Sequence, residues 1–168
     1  MPARNIYHDG VIRALTADGW TITHDPLTVS YGGKDVFVDL GAEKLAIGAE
    51  KGGRKIAIEV QSFLGDSPVN ELHGAVGQYE VYRTLLEETE PDRVLFLAVP
   101  GRVHEEFLTE RFGRLIVDRL RLRLLIFDDE REVILQWIEP KNTEPSPGDS
   151  SKPTRDTGRR TGRSRRKS

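Results

Sequence analysis

The sequence predicts an α/β domain in which a mixed β-sheet is flanked by helices, and three stretches carry that prediction. In Lys55-Ile56-Ala57-Ile58-Glu59-Val60-Gln61 the apolar Ile56, Ile58 and Val60 alternate with the other residues, the period of a strand. Residues 68–88 then read as one long helix ending before Pro91. Val94-Leu95-Phe96-Leu97-Ala98-Val99 follows as a continuous apolar run, the pattern of a strand covered on both faces. A strand–helix–strand order implies a parallel pair. The glycines of Lys51-Gly52-Gly53-Arg54 imply an antiparallel hairpin just before it, pairing residues 45–50 with 56–61.

The remaining elements follow in chain order. Residues 6–18 form a predicted first helix with Ile6, Val11, Ala14 and Leu15 on one face and Gly19 at its stop. Trp20-Thr21-Ile22-Thr23 and Leu27-Thr28-Val29-Ser30-Tyr31 are β-rich and are broken at Asp25-Pro26. Gly32-Gly33 turns the chain into a strand over 35–40, where Val36, Val38 and Leu40 alternate and Asp39 falls near the end. Ser67 is a predicted N-cap with Pro68 at the first helical position. That helix carries an apolar stripe of Val69, Leu72, Ala75, Val76, Tyr79, Leu85 and Leu86. Residues 104–112 and 113–119 are predicted helices, and 121–127 and 132–138 are predicted to close the sheet as a hairpin at its edge, with Arg121, Arg123, Glu132 and Gln136 on the polar faces.

At 168 residues and 37% hydrophobic content the chain suits one domain over residues 1–140. No apolar run approaches a membrane span, no signal-peptide pattern opens the chain, and the absence of cysteine excludes a disulfide framework, which together suit a cytoplasmic protein. The net charge of −2 conceals an asymmetry. Residues 141–168 hold nine Lys/Arg against three Asp/Glu, which leaves sixteen against twenty-four in residues 1–140. The final segment is Pro, Ser, Thr, Gly and charge with almost no apolar residue, the composition of a disordered basic tail. Such a tail raises nonspecific affinity for nucleic acid by counterion release, or binds the acidic body.

Period two puts Glu59 and Gln61 on one face of their strand, and three neighbouring strands would bring Asp39 near Glu59. Adjacent carboxylates repel, and a buried pair requires a neutralising partner such as a hard divalent cation. The same spacing also describes two acids on a wet sheet face.

An Asp, a hairpin and an apolar strand ending Glu-x-Lys is the signature of the PD-(D/E)xK, or restriction-endonuclease-like, nucleases, and here it reads Asp39, Glu59 and Gln61. More closely, Asn5-Ile6-Tyr7-His8-Asp9, Asp18-Gly19-Trp20-Thr21-Ile22-Thr23-His24-Asp25-Pro26 and Val38-Asp39-Leu40-Gly41-Ala42-Glu43-Lys44 resemble the cyanobacterial XisH family, controlling factors for excision of the fdxN DNA element. Pro91-Asp92-Arg93, Phe127-Asp128 and Gln136-Trp137-Ile138 extend the resemblance to about residue 140. It implies a restriction-endonuclease-like core and a Mg²⁺-dependent site in which Asp39 and Glu59 hold the metal and Gln61 positions the water. Gln78 and Tyr82, four apart on the long helix, resemble a Gln-x-x-x-Tyr pair that lines the DNA-facing site in a branch of these nucleases. Asp9 on the first helix matches an acid that assists the metal in many of them, although a surface capping acid has the same position.

The departure is Gln61, a neutral amide where the pattern has a lysine cation. The resemblance therefore supports two functions: a Mg²⁺-dependent endodeoxyribonuclease acting on DNA, or a noncatalytic regulator with the same fold working through a XisI-like protein partner. The acidic body and Gln61 favour the second, and self-association stays open. His24 reads as structural beside its proline turn, and Arg111, Arg114, Arg119, Arg121 and Arg123 read as a solvated face paired with Glu105, Glu106 and Glu110, or as a phosphate-binding surface.

Overall fold

The computed structural model describes residues 5–44 and 53–141. Its centre is a six-stranded mixed sheet in the order β1-β4-β5-β6-β7-β8, formed by β1 (Thr21–His24), β4 (Leu40–Lys44), β5 (Arg54–Val60), β6 (Arg93–Pro100), β7 (Leu124–Asp128) and β8 (Val133–Ile138). β5, β6 and β7 are parallel, and β1, β4 and β8 pair antiparallel. A separate hairpin, β2 (Leu27–Tyr31) with β3 (Lys34–Val38), packs on the same side as the long helix.

Alternation along the central strands divides the core into two layers. Ala57, Leu95, Leu97, Val99, Leu124 and Ile126 face α2 (Pro68–Thr89), the hairpin, and the segment α3 (Gly101–Val103), a π-helical turn (His104–Leu108) and α4 (Arg111–Arg119). Ile56, Ile58, Val60, Phe96, Ala98, Leu125 and Phe127 face α1 (His8–Ala17). β5 is covered on both faces from Ile56 to Val60, so the polar Glu59 is buried as well, at 6% exposure.

α2 begins where the sequence predicts and runs one residue further, with the Ser67 hydroxyl accepting the Asn70 N–H at 3.3 Å. Leu72, Ala75, Tyr79 and Leu86 are its buried anchors, whereas Val69 of the predicted stripe is exposed. Each large anchor contributes about 1.5–3 kcal/mol of burial. Gly74 and Gly77, which face open space, cost about 1 kcal/mol each in helix propensity, so packing and not propensity holds this helix.

Several expectations are corrected. The predicted strand over 35–40 is broken at Asp39: β3 stays with the hairpin while β4 enters the main sheet. The pairing partner of β5 is therefore Leu40–Lys44, and the predicted partner 45–50 lies outside the described residues. The break has a tertiary cause, because the Asp39 N–H and the Val60 N–H are taken by side-chain carboxylates from across the junction. Ile6 lies outside α1 and is exposed, and His8 occupies the buried face in its place. Arg121 has φ +52°, which keeps it out of a strand, and β7 starts three residues later as an inner strand covered on both faces, so that of the predicted hairpin β8 alone lies at the sheet edge. The predicted helix 104–112 ends its π-helical turn at Leu108, and α4 begins before Gly113, at Arg111. A Cβ on Gly113 would lie 2.4 Å from the Phe107 carbonyl oxygen, so only glycine allows this close approach. The predicted tail lies, but for Lys141, outside the described residues. No helix among the described residues is long and apolar enough to cross a membrane.

Candidate active site

The site forms where the chain passes between the two sheets. Asp39 lies between β3 and β4, and β4 pairs with β5, so Asp39 comes to rest against the end of the strand that carries Glu59. The two residues clasp each other's backbone: the Asp39 N–H donates to Glu59 Oε2 at 3.2 Å, and the Val60 N–H donates to Asp39 Oδ2 at 2.8 Å. Asn5 closes the same corner by donating its side-chain amide to the Val60 carbonyl at 3.2 Å.

Period two sends Ala57, Glu59 and Gln61 towards α2. On that helix Tyr79 is buried against the sheet, while Gln78 and Tyr82 flank it one turn apart. The Gln61 amide donates to Gln78 Oε1 at 2.7 Å. The half-buried Tyr82 phenol is pushed up to about 12, first by burial and then by the charges of Glu59 and Asp39. All five residues that the sequence singles out, Asp39, Glu59, Gln61, Gln78 and Tyr82, therefore belong to one constellation.

Its electrostatics are those of a crowded acid pair. Burial, followed by the charge of Asp39, pushes the Glu59 carboxyl up to about 8. Burial also raises Asp39, opposed by the Val60 N–H and by the charge of His8. Of the two carboxyls, Glu59 is the one that favours the proton. The pair thus holds one proton close to neutral pH, as expected when two acids share a site of restricted solvation.

The donor set is two carboxylates, each with one oxygen on a backbone N–H, next to the amide of Gln61. That matches the hard-oxygen chemistry of Mg²⁺, which takes one or two protein carboxylates and completes its shell with water. Among the described residues no group of three or more His, Cys, Asp or Glu is arranged to hold a metal. An open groove of about 630 Å³ runs alongside, lined by Gln61, Asp66, Ser67, Asn70, Glu71 and Gln78 among others. The carboxylates are not part of that lining, so Gln61 and Gln78 are where the groove meets the pair.

Other candidates lie elsewhere. Asp9 is exposed on α1, and its charge acts on Arg13. His24 is exposed and hydrogen-bonds to the Thr23 hydroxyl. Arg111, Arg114, Arg119 and Arg121 are exposed and outside the groove, and among the described residues no ion pair links them to Glu105, Glu106 or Glu110. Sequence reasoning missed His8 and Asp25. The buried His8 places Nε2 2.7 Å from Asp25 Oδ1, and both charges act on Asp39. The spacing of His8, Val11 and Leu15 on the buried face of α1 was the available signal.

The family model described as XisH protein matches residues 1–135. The chain belongs to the XisH family. An XisH family protein from Nostoc punctiforme PCC 73102 is 41% identical, with a TM-score of 0.73, over 80% of this chain and 100% of its own. An fdxN element excision controlling factor protein from Anabaena variabilis is 43% identical, with a TM-score of 0.72, over 81% of this chain and 100% of its own. No curated protein matches the chain. The XisH match stops ahead of the basic segment 141–168.

Proposed function

We propose that this XisH family chain is a DNA-acting factor in the excision of a DNA element and that its site is a Mg²⁺-dependent, PD-(D/E)xK-type phosphodiester hydrolase. The observation that carries the reading is the Asp39–Glu59 pair at the junction of two sheets, a buried and a half-buried acid clasped to each other's backbone, with Glu59 raised to about 8 by burial and by the charge of Asp39. Two further observations support it. The acids, the Gln61 position and the Gln78 and Tyr82 pair occur in the chain order of those nucleases on a mixed sheet, and a solved relative carries the name of an excision controlling factor.

In this reading Asp39 and Glu59 hold the cation. Mg²⁺, when bound, supplies positive charge that offsets the carboxylates and eases deprotonation of water. Backbone N–H groups fix both carboxylates, so the pair is oriented before any ligand arrives. Gln78 holds the Gln61 amide, which orients a water by hydrogen bonding but brings no charge. Tyr82 keeps its proton and offers a hydroxyl donor to a phosphate oxygen.

A noncatalytic regulator acting through a XisI-like protein partner is the second reading, favoured by the missing lysine charge and by the acidic balance of residues 1–140. Nicking of supercoiled plasmid by the full chain with Mg²⁺ or Mn²⁺, compared with Asp39→Asn and Glu59→Gln, separates the two. Metal-dependent nicking lost in both variants is the expected result. A wild type that does not nick with either metal refutes the hydrolase and leaves the regulator.

A further inference from the structure

A chain that acts on DNA needs cations for the phosphates, and the groove beside the acid pair does not supply them. Its lining holds Asp66 and Glu71 and neither Lys nor Arg. Residues 1–140 as a whole are acidic, with sixteen Lys/Arg against twenty-four Asp/Glu. Several of their arginines are already engaged within the fold. Arg13, Arg54, Arg83 and Arg93 pair with glutamates, and Arg102 donates to the Ser62 carbonyl at 2.7 Å. By contrast, Arg111, Arg114, Arg119 and Arg121 are exposed and make no ion pair or side-chain hydrogen bond among the described residues.

The helix period gathers these charges. Gly113, Ile116 and Val117 turn α4 onto the protein, which leaves Arg111, Phe112, Arg114, Leu115, Asp118 and Arg119 on its outer arc, all exposed. Asp118 is the one acid on that arc, and Arg121 follows in the turn past the helix. Nine residues at about 1.5 Å each make α4 roughly 13 Å long, the span of about four phosphates along one strand of B-DNA. The face also starts close to the site. Phe63, two residues past Gln61, has its ring 6.4 Å from Phe107, and Phe107 lies 6.1 Å from Phe112 in the first turn of α4. Arg102, in the short helix between β6 and the π-helical turn, ties the same corner to the Ser62 carbonyl next to Gln61. The basic face therefore begins two ring contacts from the end of the strand that carries Glu59.

We propose that the outer face of α4 is the surface that holds the DNA backbone, with Arg111, Arg114, Arg119 and Arg121 on the phosphates. Guanidinium forks match phosphate oxygens, and here they are available without breaking an internal ion pair. Contacts of this kind position the backbone and carry no sequence information. The complementarity is local: a cationic face on an acidic body confines DNA to one side of the molecule. This inference rests on the DNA-acting part of the proposed function and does not require hydrolysis.

Fluorescence anisotropy of a fluorescein-labelled DNA duplex of arbitrary sequence, titrated with the full chain in EDTA over a NaCl series, tests it. The wild type binds with an affinity that falls steeply with salt. Replacing all four arginines with Gln lowers the slope of log K against log salt by about three to four and weakens binding at least about tenfold, because each phosphate contact contributes about 0.9 to the slope. The nine Lys/Arg of residues 141–168 are common to both proteins and cancel in the difference. Each single variant, such as Arg114→Gln, lowers the slope by about one, and replacing all four with Lys preserves it. Arg13→Gln, which removes an arginine paired with Glu132, leaves the slope as it is. A fourfold Gln variant with wild-type slope and affinity, or a loss in Arg13→Gln equal to that in Arg114→Gln, overturns the proposal and leaves the DNA-acting reading standing. A wild type that binds no duplex removes that reading, and this surface falls with it, leaving α4 to an acidic protein partner.

Discussion

Replacing Glu59 with Gln is predicted to stabilise the apo protein at alkaline pH. Burial is the main cause that lifts the Glu59 carboxyl from its usual 4.5 to about 8. An acid whose folded pKa lies above its unfolded value binds more protons in the native state between those two values. Folding stability is therefore highest below the unfolded pKa and falls as pH rises through the folded one. The displacement from 4.5 to about 8 corresponds to at most about 5 kcal/mol, at 1.36 kcal/mol per tenfold change in the proton equilibrium. Sharing of the proton with Asp39 reduces that figure, and a loss of about 2–4 kcal/mol between roughly pH 5 and pH 9 is the working expectation. In Glu59→Gln the new side chain would keep an oxygen to accept the Asp39 N–H and an amide to donate to the Asp39 carboxylate, replacing the shared proton permanently. Urea unfolding of both proteins across this range is the assay, because groups common to the two cancel in the difference. The variant should match the wild type near pH 5 and exceed it by about 2–4 kcal/mol near pH 9. A difference that is independent of pH, or a variant weaker than wild type at pH 9, would refute the account of the pair.

Three further perturbations probe the surroundings. Gln61→Lys places a cation beside Glu59 in the position the nuclease pattern expects; it should lower the Glu59 pKa, flatten the alkaline loss of stability, and raise plasmid nicking by about tenfold or more. Tyr79→Phe removes a buried hydroxyl that accepts the Arg123 N–H at 3.1 Å and donates to the Leu95 carbonyl at 3.3 Å, and urea unfolding should show a loss of about 1–3 kcal/mol. Gly113→Ala drives a methyl against the Phe107 carbonyl and the Leu108 backbone, which cannot give way as a flexible side chain would; thermal unfolding should reveal a loss of about 1–3 kcal/mol or more.

What could be read from the sequence was what local chemistry determines. Ser67 and Pro68 announce the start of α2, and the apolar run over 94–99 announces a strand covered on both faces, so helix, parallel pair and the two-sided burial of β6 all follow from neighbouring residues. Strand period paired Glu59 with Gln61 and helix period paired Gln78 with Tyr82, while the resemblance to the nucleases joined the two pairs, which the Gln61–Gln78 hydrogen bond brings together. Asp39 was read as a candidate site residue, but its strand was misjudged. Val36, Val38 and Leu40 alternate without interruption, and the break at Asp39 comes from carboxylates of distant residues replacing ladder hydrogen bonds. Arg121 also departs from its strand: alternation with Leu122 looks like a strand, but Arg121 takes the left-handed position of the turn that ends α4, where the Leu122 N–H bonds back to the Val117 carbonyl. His8 was legible from its spacing to Val11 and Leu15, but Asp25 was not, because an Asp before Pro26 reads as a turn residue whatever it faces.

The central claim is that Asp39 and Glu59 exchange their shared proton for a divalent cation, and calorimetric titration of Mg²⁺ and Mn²⁺ into the wild type and Glu59→Gln near pH 6 and near pH 9 tests it most directly. The account predicts binding by the wild type that tightens by about tenfold per pH unit up to about 8, with proton release seen as a buffer-dependent enthalpy, and loss of both in the variant. Binding that is unchanged by pH and by Glu59→Gln, or no binding by the wild type near pH 9, would contradict it.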